Sequence, residues 1–165
     1  MNVKPGAPLK PGQLLHPVVW RSHTDELPAK ALETKRWDSM LVIAFGFGRS
    51  KRLQTWSRPC DDLNGPHWIG VRNGTALHTD PKYPRYTHQL VVRNDGWRLT
   101  GAAMQHDDPW TPGTVFCCDT HSPHILLRED GGKGMFYLAA SIDSTTPLSC
   151  EETLPRLLEF VRRHL

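Results

Sequence analysis

Apolar residues along this chain form short runs that turn-forming residues interrupt. Runs of this length are typical of β-strands, half-buried where apolar and polar residues alternate and fully buried where the run is continuous. Proline and glycine, with 14 and 13 residues among 165, provide the turns that many short strands require. The pattern predicts strands at residues 14–20, 41–47, 67–72, 75–80, 89–93, 97–101, 114–119 and 134–143.

Turn residues refine these strands. Pro17 cannot donate to a β-ladder, so segment 14–20 is predicted to be an edge strand. Asn73-Gly74 is a two-residue turn signal before strand 75–80. Asn94-Asp95-Gly96 tolerates the positive φ of a tight turn, and it predicts an antiparallel hairpin between strands 89–93 and 97–101. Segment 134–143 is apolar enough to predict a strand buried on both faces.

The pattern also predicts an N-terminal helix, over about residues 24–36. Its apolar residues have helical spacing, and Pro28 would lie in the first turn. Residues 1–13 are predicted to form a flexible arm. The apolar residues of the helix are Leu27, Ala31 and Leu32, and its candidate caps are Thr24 and Asp25.

A C-terminal amphipathic helix is predicted within residues 149–165. Ser149 and Glu152 have the spacing of a capping box, but Pro155 places the regular start nearer Thr153. One face is apolar and the opposite face is mostly charged. The apolar face consists of Leu154, Leu157, Leu158, Val161 and Leu165.

Length and charge limit the classes of function. A chain of 165 residues is predicted to form a single domain, 1–165, with one continuous core. The net charge of +3 is mild for a dedicated nucleic-acid binder and leaves nucleic acid as a weak candidate partner. No apolar N-terminal run resembles a signal peptide, and no stretch approaches the roughly 20 apolar residues that span a bilayer. We therefore expect a cytoplasmic protein without a membrane partner.

The cysteines predict no metal site. Cys60, Cys117, Cys118 and Cys150 form no C-x-x-C pair, and we expect reduced thiols. Because adjacent residues of a strand point to opposite faces, at most one of Cys117 and Cys118 is expected to face the core.

The candidate chemistry begins at His78 and Asp80. Residues two apart on an extended strand point to one face, so this imidazole and this carboxylate can converge. His124 lies far enough along the chain for further strands to form and return beside the pair. Two imidazoles and one carboxylate leave open coordination positions, which suits non-haem Fe(II) and O₂. Lys133 follows the Gly131-Gly132 turn and is predicted to direct a positive charge into the same cavity.

This arrangement resembles the Fe(II)/2-oxoglutarate-dependent dioxygenases from Val71 to Asp143. The shared pattern is H-x-D, a strand introduced by Pro-Gly and followed by a His, and then a basic residue. The resemblance implies a mainly β fold, the double-stranded β-helix or jelly roll, and implies iron ligation by His78, Asp80 and His124. It implies that Lys133 binds the distal carboxylate of 2-oxoglutarate. With O₂ as the other co-substrate, it implies hydroxylation of a substrate with release of succinate and CO₂.

Parts of the chain are similar to the aspartyl/asparaginyl β-hydroxylase and prolyl hydroxylase branches of that family. Arg85 and His88 after the first ligand, and Asp119 before the last, are shared with the aspartyl/asparaginyl branch. That branch usually lacks the acidic ligand that this chain has in Asp80. Many family members also have Arg with Ser two residues later, where this chain has Lys133 and Met135.

Several residues remain alternatives or secondary candidates. His121 competes with His124 as the third ligand, and Arg128 competes with Lys133 as the co-substrate anchor; spacing from Gly113 favours His124. Residues near the first ligands have two interpretations each. His88 either contacts the co-substrate or is a core histidine, and Tyr83 and Tyr86 either line the site or shape a proline-rich loop. The further candidates are His88 and Tyr86 for co-substrate, and Tyr83, Arg85 and Arg52 for substrate.

Two other segments carry charge. Residues 49–58 hold four basic residues beside Trp56, a candidate contact for phosphate or an acidic substrate and alternatively a solvated loop. Residues 104–110 contain His106, Asp107 and Asp108, but consecutive residues point in different directions, so a loop is predicted. The basic residues are Arg49, Lys51, Arg52 and Arg58.

Two other function classes remain open. A metal-independent jelly-roll binding or structural module would have the same strands, and a cupin-type metalloenzyme would bind metal but ignore 2-oxoglutarate. The absence of the usual cupin H-x-H pair weighs against the latter. No phosphate-binding glycine loop or G-x-S-x-G elbow occurs. A protein side chain, a nucleobase and a small metabolite are all compatible substrates.

Overall fold

The computed structural model describes residues 18–39, 54–58, 65–72, 79–95, 98–100, 111–122, 125–127 and 136–165. The strands are β1 (Val18–His23), β2 (Gln54–Arg58), β3 (His67–Arg72), β4 (Tyr86–Asn94), β5 (Arg98–Thr100), β6 (Thr114–Asp119), β7 (Ile125–Leu127) and β8 (Phe136–Ser144). The α-helices are α1 (Thr34–Ser39) and α2 (Cys150–Arg163), and a 3₁₀ helix spans Ala29–Leu32. The prediction of a mainly β chain is confirmed.

The strands form two antiparallel sheets. The larger has six strands in the order β1-β6-β4-β8-β3-β2, and the smaller pairs β5 with β7. β1 begins directly after Pro17 and lies at an edge, as predicted. β2 lies at the other edge, so residues 54–58 form a strand where a solvated loop was the alternative. Strand 41–47, the arm 1–13, the Asn73-Gly74 turn and segment 104–110 lie outside the described residues. Of the predicted strand 75–80 only Thr79 and Asp80 are described, and for these two residues the prediction is wrong, because they lie in a loop.

The predicted hairpin between segments 89–93 and 97–101 is wrong. β4 is bonded to β8 from Tyr86 to Asn94 and to β6 from Tyr86 to Leu90, and it does not pair with β5. β5 pairs instead with β7 in the smaller sheet. The segment around Asn94 therefore leads the chain from one sheet to the other.

The predicted N-terminal helix over residues 24–36 is also wrong, because it is broken into two short pieces. The 3₁₀ helix follows Pro28, and Glu33 is extended with φ −76° and ψ 104° before α1 begins. The buried indole of Trp37 donates to the Ala31 carbonyl at 2.7 Å, which takes the place of a helical amide partner. Burial of Trp37 thus overrides local helix propensity, and Leu32 is left 53% exposed.

The C-terminal helix α2 forms as predicted but starts earlier than expected. The Ser149 hydroxyl accepts a hydrogen bond from the Glu152 amide at 3.1 Å, so Ser149 is the N-cap and the helix begins at Cys150. Pro155 lies inside the helix at an exposed position. The face that packs on β4 and β8 buries Leu157, Leu158 and Val161, together with Phe160.

Both faces of the larger sheet are buried. On one face, residues such as Leu90, Leu138 and Ile142 pack with α2. On the other, Val91, Phe116, Cys118, Tyr137 and Ala139 form a second cluster. We call these the helix face and the opposite face.

The pair of adjacent cysteines follows from this arrangement. Cys117 and Cys118 are 0% and 2% exposed. The expectation that at most one of them faces a core is wrong, because each side of β6 is covered. Cys117, Cys118 and Cys150 are free thiols, as expected.

Candidate functional site

Two segments that are distant in sequence meet beyond the ends of β4 and β6. The Asp80 amide donates to the Thr120 carbonyl at 2.8 Å, and the Thr120 amide donates to the Arg85 carbonyl at 2.7 Å. The His121 ring is hydrogen-bonded through Nε2 to the Tyr83 carbonyl at 3.0 Å. The loop 79–85 is therefore fixed against the turn 119–122, and Asp80 lies beside the segment that leads to His124.

An ion pair joins the same two segments. Arg85 donates through Nε to both carboxylate oxygens of Asp119 at 3.2 Å, and through Nη2 to Oδ2 at 3.0 Å. The carboxylate also accepts from the His121 amide at 3.0 Å and from the Ser122 hydroxyl at 3.1 Å. Burial acts to raise the pKa of Asp119, but these hydrogen bonds outweigh burial and hold that pKa below its usual value. Asp119 is thus a structural anion that shapes the turn.

Asp80 is the predicted metal ligand that the structure describes. It is partly buried, and its charge helps to raise the pKa of the Cys118 thiol, which burial has already raised well above its usual value. Cys118 lies on the opposite face of the sheet. Asp80 therefore lies close enough to β6 for its charge to act on Cys118.

Other predicted site residues fall outside the described part of the chain. They are the ligands His78 and His124, the alternative anchors Lys133 and Arg128, and Arg52. Within the described ranges, no three His, Cys, Asp or Glu side chains are grouped so that they could hold a metal ion.

His88, predicted as a co-substrate contact or a core histidine, has the position of a core histidine. It is 0% exposed, and its Nδ1 is 2.9 Å from the Ile142 carbonyl. Nε2 accepts from the Leu148 amide at 2.9 Å, so Nδ1 carries the proton. Burial lowers the pKa of His88 and favours this neutral form. Both ring nitrogens are used to hold β4 to β8 and to the segment before α2.

The remaining described candidates lie on loop 79–85 and at the start of β4. The Arg85 guanidinium, predicted to bind substrate, is paired with Asp119 and lies 5.5 Å from the ring centre of Tyr86. Tyr86 is partly buried and shares strand parity with His88 and Leu90. Tyr83 is 60% exposed at the rim. Among these, Tyr83 has its side chain most open to solvent.

The opposite face of the sheet carries a chain of buried polar side chains that sequence analysis missed. Tyr137 donates to Gln89 Oε1 at 2.7 Å, and Gln89 Nε2 donates to Thr87 at 3.4 Å. The Thr87 and Ser141 hydroxyl oxygens are 2.7 Å apart. The available signal was the alternation of polar residues within otherwise apolar strands, Thr87 with Gln89 in β4 and Ser141 with Asp143 in β8. We call these residues, with Asp143 and His67, the polar strip.

The polar strip ends in a carboxylate and an imidazole. His67 Nε2 is 3.6 Å from Asp143 Oδ2. Burial raises the pKa of Asp143, while the charge of His67 and hydrogen bonds from Thr87 and Ser141 act in the other direction. Asp143 of β8 pairs with Thr87 of β4. The adjacent residue of β4, Tyr86, pairs with Asp119 of β6. The strip therefore reaches the end of the sheet where loop 79–85 and turn 119–122 meet.

Comparisons with known proteins give no relatives. No family model, no curated protein and no solved structure matches the chain. In the part of the chain that the structure describes, no helix has the length and apolar character needed to cross a membrane.

Proposed function

We propose that this chain is an Fe(II)- and 2-oxoglutarate-dependent dioxygenase. The observation that carries the proposal is the 2.8 Å hydrogen bond from the Asp80 amide to the Thr120 carbonyl. Asp80 is two residues from His78, and Thr120 is four residues from His124. A single contact thus brings together the two segments that hold the three proposed ligands.

The strand order supports a jelly roll for this domain. From β3 onwards, β3, β4, β6 and β8 belong to the larger sheet, whereas β5 and β7 belong to the smaller one. Within the larger sheet the first of these strands pairs with the last, β3 with β8, and β4 pairs with β6. A jelly roll has this arrangement, because a long antiparallel ribbon folds over to form two sheets.

The donor set fits the proposed metal. Iron bound by His78, Asp80 and His124 would retain open positions for 2-oxoglutarate and O₂, and would supply the oxidising chemistry. Asp119 does not compete as a ligand, because Arg85 neutralises it. His121 is held away from this role by its contact with the Tyr83 carbonyl, which supports His124 as the third ligand.

The other residues of the chain bind and orient the reactants in this proposal. Lys133 neutralises the distal carboxylate of 2-oxoglutarate, with Arg128 as the alternative cation. Loop 79–85 forms one wall of the entrance and presents Tyr83 to solvent. The polar strip, on the opposite face of the sheet, reaches the end of the sheet where this loop lies.

An anaerobic titration of the apoprotein with Fe(II) and then 2-oxoglutarate tests the proposal. We expect a visible metal-to-ligand charge-transfer band in the parent protein, and its loss in His78→Ala and His124→Ala. Loss of a ligand imidazole should also abolish 2-oxoglutarate turnover to succinate. His121→Ala is the matched control and should retain the band.

The alternative classes give different results in the same titration. Iron binding without a response to 2-oxoglutarate would replace the proposal with a cupin-type metalloenzyme. Absence of bound iron from the parent protein would favour a binding module. A band that survives His124→Ala but disappears in His121→Ala would reassign the third ligand.

A further inference from the structure

The ion pair between Asp119 and Arg85 fixes the position of turn 119–122. Asp119 closes the turn by accepting from the His121 amide and the Ser122 hydroxyl, and the Ser122 amide donates to the Asp119 carbonyl at 3.1 Å. The same carboxylate receives the bidentate guanidinium of Arg85. One side chain therefore sets both the shape of turn 119–122 and its attachment to loop 79–85.

The backbone contacts of this junction lie next to the ion pair. Thr120 donates through its amide to the Arg85 carbonyl at 2.7 Å, and through its hydroxyl to the same oxygen at 3.0 Å. It accepts from the Asp80 amide through its own carbonyl. The position of Thr120 thus determines how far Asp80 lies from the turn.

Arg85 is held from two sides. Its Nε and Nη2 groups bond to Asp119, and its guanidinium carbon lies 5.5 Å from the centre of the Tyr86 ring. A bidentate pair fixes the relative orientation of two side chains more narrowly than a single contact does. These contacts indicate a structural role for Arg85, whereas the sequence predicted a contact with substrate.

We propose that the Arg85–Asp119 pair is a positioning element that holds loop 79–85, which contains Asp80, and turn 119–122, which leads to His124, at the separation required for metal binding. The inference rests on the proposed function, since it concerns the affinity of that same metal site. Neither residue is one of the proposed ligands. Loss of either partner leaves the ligands and the hydrogen bonds of Thr120 in place but loosens turn 119–122 against loop 79–85, so that metal binding must restore their alignment.

The test measures the affinity of the full chain for Mn(II), a redox-inactive substitute for Fe(II). Free Mn(II) is quantified by electron paramagnetic resonance, without turnover. We expect Asp119→Asn and Arg85→Gln each to weaken Mn(II) binding about 10-fold or more, the scale seen when residues that orient metal ligands are lost. The double variant should bind no more weakly than the weaker single variant, because both changes break one connection.

The chain offers a matched control at the other end of β4. Arg93 also forms a bidentate pair, with Asp95 at 3.2 and 3.0 Å, and it contacts Asp38 as well. It lies roughly 25 Å from Arg85 at the rise of an extended strand. Asp95→Asn removes a similar charge contact, and we expect it to change Mn(II) affinity less than about 2-fold.

The outcomes separate this inference from the proposed function. Absence of Mn(II) binding by the parent protein would remove both. Parent-like binding by folded Asp119→Asn and Arg85→Gln would overturn the positioning role alone. If Arg85→Gln has a higher KM for substrate or 2-oxoglutarate and an unchanged affinity for Mn(II), Arg85 contacts that reactant directly and does not act by positioning. Arg85→Lys keeps the charge but not the bidentate geometry, so its Mn(II) affinity should lie between those of the parent and Arg85→Gln. This variant also tests the proposal if Asp119→Asn does not fold.

Discussion

The two buried faces of the larger sheet differ in chemistry although they belong to the same strands. The helix face of β4 and β8 packs Leu90, Leu138 and Ile142 against α2. On the opposite face, the neighbouring residues Gln89 and Ser141 are hydrogen-bonded members of the polar strip. One sheet thus has an almost wholly apolar core on one side, and on the other side an apolar cluster that the polar strip interrupts.

This difference means that the two faces contribute to stability in different ways. Apolar burial stabilises a fold roughly in proportion to the area removed from water. A buried hydrogen bond contributes less, because it replaces bonds that the same groups make with water. A sheet that needed only a core would have apolar residues on both faces. The polar strip lies on the same face of the sheet as Cys118, and its Thr87–Asp143 pair lies at the end of the sheet where loop 79–85 and turn 119–122 meet.

The largest effect is expected on the helix face. Leu157→Ala removes a fully buried side chain between α2 and the sheet. We expect a loss of about 3 kcal/mol in the free energy of unfolding, from the lost transfer energy and the remaining cavity. Urea denaturation measures it.

Leu32→Ala is the control for this prediction. Leu32 is 53% exposed, so its truncation should change the free energy of unfolding by less than about 0.5 kcal/mol. If Leu157→Ala and Leu32→Ala lose equal amounts of unfolding free energy, the packing of α2 on the sheet is not the main source of stability there.

Much of this architecture could be predicted from the sequence. β3, β6 and β8 follow from short apolar runs, and α2 follows from its apolar stripe. The partners of these strands were harder to predict. The Asn94-Asp95-Gly96 turn signal reports local backbone preference, whereas β4 is already bonded on both edges by strands distant in sequence. Pairing is therefore decided by the whole sheet.

The candidate site was predictable only in part. The H-x-D spacing led to Asp80, which the structure places beside Thr120. The roles of Arg85 and His88 were harder to assign, because their partners Asp119, Ile142 and Leu148 come from other elements. A charged or titratable residue near a motif gives no indication of which groups it meets after folding.

An intermediate effect is expected from His88, a polar residue on the helix face. Its pKa is lowered by burial, so the unfolded chain takes up a proton below about pH 6.5 that the folded chain excludes. Stability should therefore fall as the pH is lowered from about 6.5, by at most about 1.4 kcal/mol per pH unit. Urea denaturation at pH 7.5, 6.5 and 5.5 measures this slope, with those pH values chosen to bracket roughly the unperturbed pKa of histidine.

His88→Asn isolates this contribution from the other histidines. The amide can still donate to the Ile142 carbonyl but does not titrate. The variant should be less stable than the parent at pH 7.5, and its stability should depend less on pH. Identical pH slopes for the two proteins would show that His88 accepts a proton in the folded state.

An effect of similar size to that of His88 is expected on the opposite face. Tyr137→Phe removes the hydroxyl that donates to Gln89 and leaves a buried amide oxygen without this donor. We expect a loss of about 1–2 kcal/mol, the usual cost of an unsatisfied buried acceptor. Urea denaturation at pH 7.5, about one unit above the unperturbed histidine pKa, keeps His88 out of the comparison.

The double variant Tyr137→Phe/Gln89→Leu decides whether the polar strip acts as a connected unit. Replacing both partners by apolar groups of similar shape removes the unsatisfied acceptor, so the double variant should lose less stability than the two single variants together. Additive losses would mean that the two side chains contribute independently. A double variant as stable as the parent would show that the polar residues are not needed for folding.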